Sequence, residues 1–98
     1  MTPEGEIKRE IDRVLSVTAD SRPMWWFKPV QSGRGKRALD YIGCVNGKFF
    51  SIEAKREGET LTSFQRHTSC SILNAGGKVF SVSSQEGLNA FCNWLWAQ

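Results

Sequence analysis

Ile7, Ile11, Val14 and Leu15 recur at helical spacing through an otherwise polar stretch, which predicts an amphipathic helix from Glu4 to about Ser16. The polar segment from Val17 to Pro23 predicts a loop. Met24-Trp25-Trp26-Phe27-Lys28-Pro29-Val30 has the aromatic content of a strand, and Pro29 places it at an edge or a strand end. A basic loop, Gln31 to Arg37, contains Ser32-Gly33-Arg34-Gly35. Two strand-like runs then flank Asn46-Gly47, the pair that best suits a type I′ hairpin turn because both central residues need positive φ. Thr62-x-x-Gln65 reads as a capping box opening a second helix to about Ala75, and Gly76-Gly77 supplies the stop. Lys78–Val82 is a short strand, and Ser83-x-x-Glu86 predicts the cap of a last helix to about Trp96, with Phe91, Trp94 and Leu95 on its packed face. The order αβββαβ plus a C-terminal helix predicts an α/β fold: a mixed sheet of about four strands, the hairpin antiparallel and the strand after the crossover helix parallel, with helices on both faces.

A two-residue loop at Asn46-Gly47 sets Val45 against Lys48 and, further from the turn, Asp40 directly opposite Glu53. Lys55 shares the face of Glu53, one pleat on. Like charges directly opposite one another destabilise a sheet, and a hard divalent cation held by oxygen ligands removes that cost. The backbone carbonyl of Ala54, between Glu53 and Lys55, is a further candidate oxygen ligand. Gln65, in the first turn of the second helix, is placed to hold Lys55 or a phosphate through its amide. Glu4 falls on the inward face of the first helix with Ile7 and Ile11 and is the candidate helix acid, with Glu6 and Glu10 as competitors. A second Glu-x-Lys, Glu6-Ile7-Lys8, lies on the predicted helix, where residues two apart do not face each other.

The net charge of +3 is modest, but between Lys28 and Arg56 seven basic residues stand against two acids, Asp40 and Glu53. A polyanion is the natural partner of such a stretch, with Lys28, Arg34, Lys36, Arg37 and Arg56 as candidate DNA contacts. Ninety-eight residues correspond to one domain spanning 1–98. No apolar run reaches membrane-spanning length and the acidic start does not resemble a signal peptide, so a cytoplasmic protein is expected. The three cysteines, Cys44, Cys70 and Cys92, form no metal-type pair and read as small buried apolar residues of a reducing compartment.

Two carboxylates, a divalent cation and a lysine in a basic setting suit phosphodiester hydrolysis, which needs an activated water and neutralisation of the charge growing on the phosphate. Trp25, Trp26 and Phe27 can stack on an unpaired base or mark a partner surface, with alternation turning one tryptophan inward. Trp96 lies off the packed face of its helix and is a candidate dimer contact. His67 reads as a surface or capping group.

Taken together, Glu4-x-x-Ile7, Gly35-Lys36-Arg37-x-x-Asp40-x-x-Gly43, Ile52-Glu53-Ala54-Lys55-Arg56, Gly58-x-x-Leu61-Thr62-x-x-Gln65 and Ala75-Gly76-Gly77 resemble the VRR-Nuc family of the PD-(D/E)xK nucleases, from Glu4 to about Val82. The resemblance implies a restriction-endonuclease-like core and a phage-like, stand-alone endonuclease using Mg²⁺ or Mn²⁺. It further implies catalytic Asp40, Glu53 and Lys55, supporting Gln65 and helix acid Glu4, and a homodimer acting on branched DNA such as four-way junctions or flaps. The family's usual proline before the first acid is Leu39 here, which can take the same extended backbone. The alternatives are a catalytically idle nucleic-acid-binding module, or a structural subunit of a phage or repair complex with the same fold.

Overall fold

The computed structural model describes residues 3–31, 33 and 35–98. Its elements follow in the order α1 (Pro3–Ala19), β1 (Met24–Phe27), β2 (Tyr41–Val45), β3 (Lys48–Ala54), α2 (Ser63–Asn74), β4 (Lys78–Val82) and α3 (Gln85–Trp96). The four strands form one mixed sheet in the order β1-β2-β3-β4. β1 and β2 run antiparallel, as do β2 and β3, while β4 is parallel to β3. α2 makes the crossover that a parallel pair requires. No helix among the described residues is long and apolar enough to cross a membrane.

The Asn46-Gly47 turn forms as its dihedrals demand, with φ of 48° and 82°, and Val45 opposes Lys48. On one face of the sheet Tyr41, Val45, Phe50, Ile52, Ala54 and Val82 form a core with Ile11, Val14 and Leu15 of α1 and Leu88, Phe91 and Leu95 of α3. On the other face Ile72 of α2 packs near Phe49. The helices therefore lie on both faces.

Three boundaries differ from the sequence reading. α1 continues past Ser16 because Thr18 is buried and its hydroxyl accepts from the indole N–H of Trp96, 3.2 Å away, so a tertiary contact carries the helix another turn. β1 stops at Phe27, where its partner register with β2 also ends at Ile42, leaving Pro29 and Val30 outside the sheet. The cap of α3 is Ser84, not Ser83: its Oγ accepts from the Gly87 amide at 3.3 Å, and Glu86 sits in the first turn, where the helix dipole favours an acid. The cysteines also differ, for only Cys92 is buried, while Cys44 is half-buried and Cys70 exposed.

Gly43 has a packing role. It is the direct partner of Phe50, and a Cβ there would lie 2.3 Å from the ring's Cζ. The ring is fully buried between Phe91 and Trp94 and has nowhere to retreat. Gly43→Ala is expected to lower stability by about 1–3 kcal/mol, the usual cost of overpacking, read as an earlier urea midpoint with an unchanged slope.

Candidate functional site

The β2–β3 ladder ends at the pair Tyr41 and Ile52, so the next residues out, Asp40 and Glu53, stand opposite each other where the backbone ladder stops. Each carboxylate takes up an amide that the ladder leaves free. Glu53 Oε2 accepts from the Asp40 N–H at 3.0 Å, and Asp40 Oδ2 accepts from the Ala54 N–H at 2.9 Å. The strands are thus stitched crosswise by the two acids, and both of these amides are paired. A strand residue's N–H and C=O leave on the same edge, so the Ala54 carbonyl also points toward Asp40.

Glu53 is only 5% exposed. Burial first, and the neighbouring Asp40 charge second, push its carboxyl up to about 7, against the opposing pull of the Asp40 amide and of Lys55. Its other oxygen, Oε1, accepts from the side-chain amide of Gln65, so the amide that the sequence places on Lys55 or a phosphate is taken up by Glu53 instead. Gln65 is held in turn by the helix start. Its Oε1 accepts from the Thr62 N–H at 2.9 Å, and the Thr62 hydroxyl accepts from the Gln65 N–H at 3.2 Å. The capping box of α2 therefore fixes which way the glutamine amide points, with its donor end toward Glu53.

Lys55 follows Glu53 on the same face, is half-buried, and anchors its own N–H on the Val82 carbonyl at 2.9 Å. Among the described residues its ammonium forms no ion pair. Glu4 does not touch either strand carboxylate directly. Its Oε2 is 3.4 Å from Lys8 Nζ, and Lys8 Nζ is 3.8 Å from Asp40 Oδ1, so a lysine stands between the helix acid and the site. Glu10 pairs with Arg13 at 2.8 Å, and Glu6 is exposed.

Lys8 is the residue that sequence reasoning missed. Its Glu-x-Lys spacing with Glu6 is uninformative, but it lies one helical turn from Glu4 on the same face, and that relation was readable. Beside it the Tyr41 hydroxyl donates to Asp12 Oδ1 at 2.7 Å, and Asp12 Oδ2 accepts from Lys28 Nζ at 2.8 Å. Burial followed by the Asp12 contact pushes the Tyr41 phenol well above its ordinary range. This chain of contacts ties α1 to β2 next to Asp40.

The basic residues divide. Lys28 is engaged with Asp12, and Arg56 pairs with Glu59 at 2.8 Å. Lys36 and Arg37 are exposed, and the Arg37 guanidinium lies over the Phe64 ring, 3.9 Å from its centroid. Arg34 lies outside the described residues. Among the described residues no group of three or more His, Cys, Asp or Glu side chains converges as a metal site. The oxygen set at the end of the hairpin is therefore two carboxylates and one main-chain carbonyl. Comparison of the chain with protein-family models, curated proteins and solved structures gives no match.

Proposed function

We propose that this chain is a metal-dependent endodeoxyribonuclease that hydrolyses phosphodiester bonds, acting as a homodimer on branched DNA such as four-way junctions or flaps. The observation that carries the reading is the opposition of Asp40 and Glu53 at the end of the hairpin, with the Ala54 carbonyl beside them and Lys55 on the same face. Placing two acids there and burying one of them is costly for a site that does nothing. The order of motifs along the chain, which resembles the VRR-Nuc pattern, agrees with this reading.

The donor set suits a hard cation. Mg²⁺ keeps several waters and is commonly held by one or two carboxylates, so two acids and a carbonyl are sufficient. Asp40, Glu53 and the Ala54 carbonyl would hold it. When bound, it offsets charge on the phosphate and lowers the pKa of a water. Glu53 must give up its proton to serve as a ligand. Gln65 keeps the Glu53 carboxylate from swinging away by donating to the oxygen opposite the Asp40 side. Lys55, which forms no ion pair among the described residues, supplies a positive charge for the extra negative charge of the pentacovalent phosphate. Lys36 and Arg37 bind the flanking backbone as phosphate contacts.

Two symmetric sites would suit a two-fold substrate, which motivates the homodimer. The decisive experiment incubates the protein with labelled four-way, flapped and linear DNA in Mg²⁺ and in EDTA. Nicked products that appear only with Mg²⁺, and preferentially on the branched substrates, are expected. Metal-independent loss, or none on any substrate, would overturn the assignment. One observation favours a second reading. Lys8 reaches Asp40, and each carboxylate already caps a strand amide, which is how an idle DNA-binding module would satisfy these groups without a cation. Binding of branched DNA without cleavage in either Mg²⁺ or Mn²⁺ would establish that reading instead.

A further inference from the structure

The α2 face of the sheet is only half covered. α2 packs over the β4 side, and the positions of β1 and β2 that point the same way are exposed or half-buried. Those positions are Trp25 and Phe27 on β1 and, opposite them, Cys44 and Ile42 on β2. Trp25 is 64% exposed and Phe27 40% exposed, and their rings contact each other at 5.1 Å between centroids. Next to Ile42, the strand partner of Phe27, opens a groove of about 300 Å³ that Ile42 and Phe49 line together with Lys36, Arg37 and, from α2, Thr68 and Ile72.

We propose that this open half-sheet is a stacking platform for unpaired bases of single-stranded DNA, and that Lys36 and Arg37 bind the backbone of the same strand. Two features select that occupant. The open face sets the flat aromatic surface of Trp25 and Phe27 beside a groove lined by the cationic Lys36 and Arg37, and among the described strand residues of this face the one acid is Glu53, which complements a polyanion carrying exposed bases. The platform is also continuous with the candidate site. Phe27 opposes Ile42, and Asp40, just before β2, lies two residues from Ile42, so extended-chain geometry puts the Phe27 and Asp40 backbones roughly 8 Å apart. A flap base resting on Phe27 or Trp25 would therefore leave its junction at the carboxylates. The direction of this inference, from platform to cleavage point, rests on the nuclease reading; the binding itself does not.

The test measures binding of a short oligo-dT, and of a blunt duplex, in EDTA so that no strand is cut. Oligo-dT should quench the tryptophan fluorescence of the wild type. Trp25→Ala should weaken oligo-dT binding about tenfold, Trp25→Phe should restore most of it, and duplex affinity should change less than about twofold. Because Trp25 is exposed, unchanged circular dichroism and melting are expected for both variants. Equal binding of oligo-dT by wild type and Trp25→Ala would overturn the platform. So would a sedimentation shift from dimer to monomer in Trp25→Ala with oligo-dT binding per protomer unchanged, since the face would then hold a second copy. Trp25-dependent binding with no cleavage of any DNA would leave the platform standing and remove the nuclease. Mg²⁺-dependent cleavage with Trp25-independent binding would do the reverse.

Discussion

Asp40→Asn is expected to abolish Mg²⁺-dependent cleavage, by at least about a thousandfold, and at the same time to raise the melting temperature of the metal-free protein at alkaline pH. The two effects have one cause. Asparagine keeps an oxygen to accept from the Ala54 N–H, so the stitch between the strands survives. It removes the negative charge that faces Glu53, the second-largest reason that the Glu53 carboxyl is pushed up. The substitution also breaks the ion pair of Lys8 with Asp40, but at 3.8 Å between partly exposed groups that pair is worth little. A gain of a few degrees is expected, since about 1 kcal/mol moves the melting temperature of a domain this size by roughly 4–8 °C. Lys55→Ala should behave differently. It should lose about a hundredfold to a thousandfold in cleavage, yet keep the stabilisation that Mg²⁺ brings, because the lysine is not a ligand. Its metal-free fold should be slightly less stable at alkaline pH, since the ammonium counters the ionised Glu53. Cleavage assays with thermal melts in Mg²⁺ and in EDTA read all of these. An Asp40→Asn protein that cuts like wild type would remove the site from this end of the hairpin.

Much of this arrangement is legible in the chain because it depends on local rules. The Asn46-Gly47 turn fixes the hairpin register without any long-range information, and register alone brings Asp40 opposite Glu53. Thr62-x-x-Gln65 is likewise local, and its capping box forms as read. What sequence could not supply is where the capping glutamine's second polar end goes. Its contact with Glu53 depends on how the crossover seats α2 against β3, a tertiary matter. The same holds for Lys8 and for the length of α1, both decided by the neighbours the helix meets. The half-covered face is also invisible in the order of elements. Alternation predicts that one tryptophan of Trp25-Trp26 turns inward, and it is Trp26 that packs on the core, but nothing in the pattern says that α2 stops short of β1.

The stabilisation given by Mg²⁺ should depend steeply on pH, because the proton on Glu53 and the cation compete for the same oxygens. In the fold the Glu53 carboxyl is pushed up to about 7 from an ordinary 4.5. A group whose folded value is raised binds more protons in the native state than in the unfolded chain. Its stabilising contribution is therefore complete below about pH 4.5 and declines as pH rises through 7, by up to about 3 kcal/mol for a shift of this size. The metal-free protein should accordingly melt lower at about pH 8.5 than at about pH 5.5 on account of this group. Mg²⁺ should do little at the acid end, where Glu53 holds its proton. At the alkaline end a hundredfold excess over Kd should add about 2.7 kcal/mol, of order 10 °C, and cancel most of the decline. Glu53→Gln separates this from every other titration in the molecule. The variant lacks both the ionisation and the ligand, so its melting curve should lose the part of the pH dependence assigned to Glu53 and should not respond to Mg²⁺ at either pH. Its one side-chain oxygen also cannot accept from both the Gln65 amide, which the capping box holds in place, and the Asp40 N–H, so one donor is left unpaired and the baseline should sit below that of Asp40→Asn at alkaline pH. A wild-type protein whose Mg²⁺ shift is the same at both pH values would show that the cation binds somewhere other than the buried carboxylate.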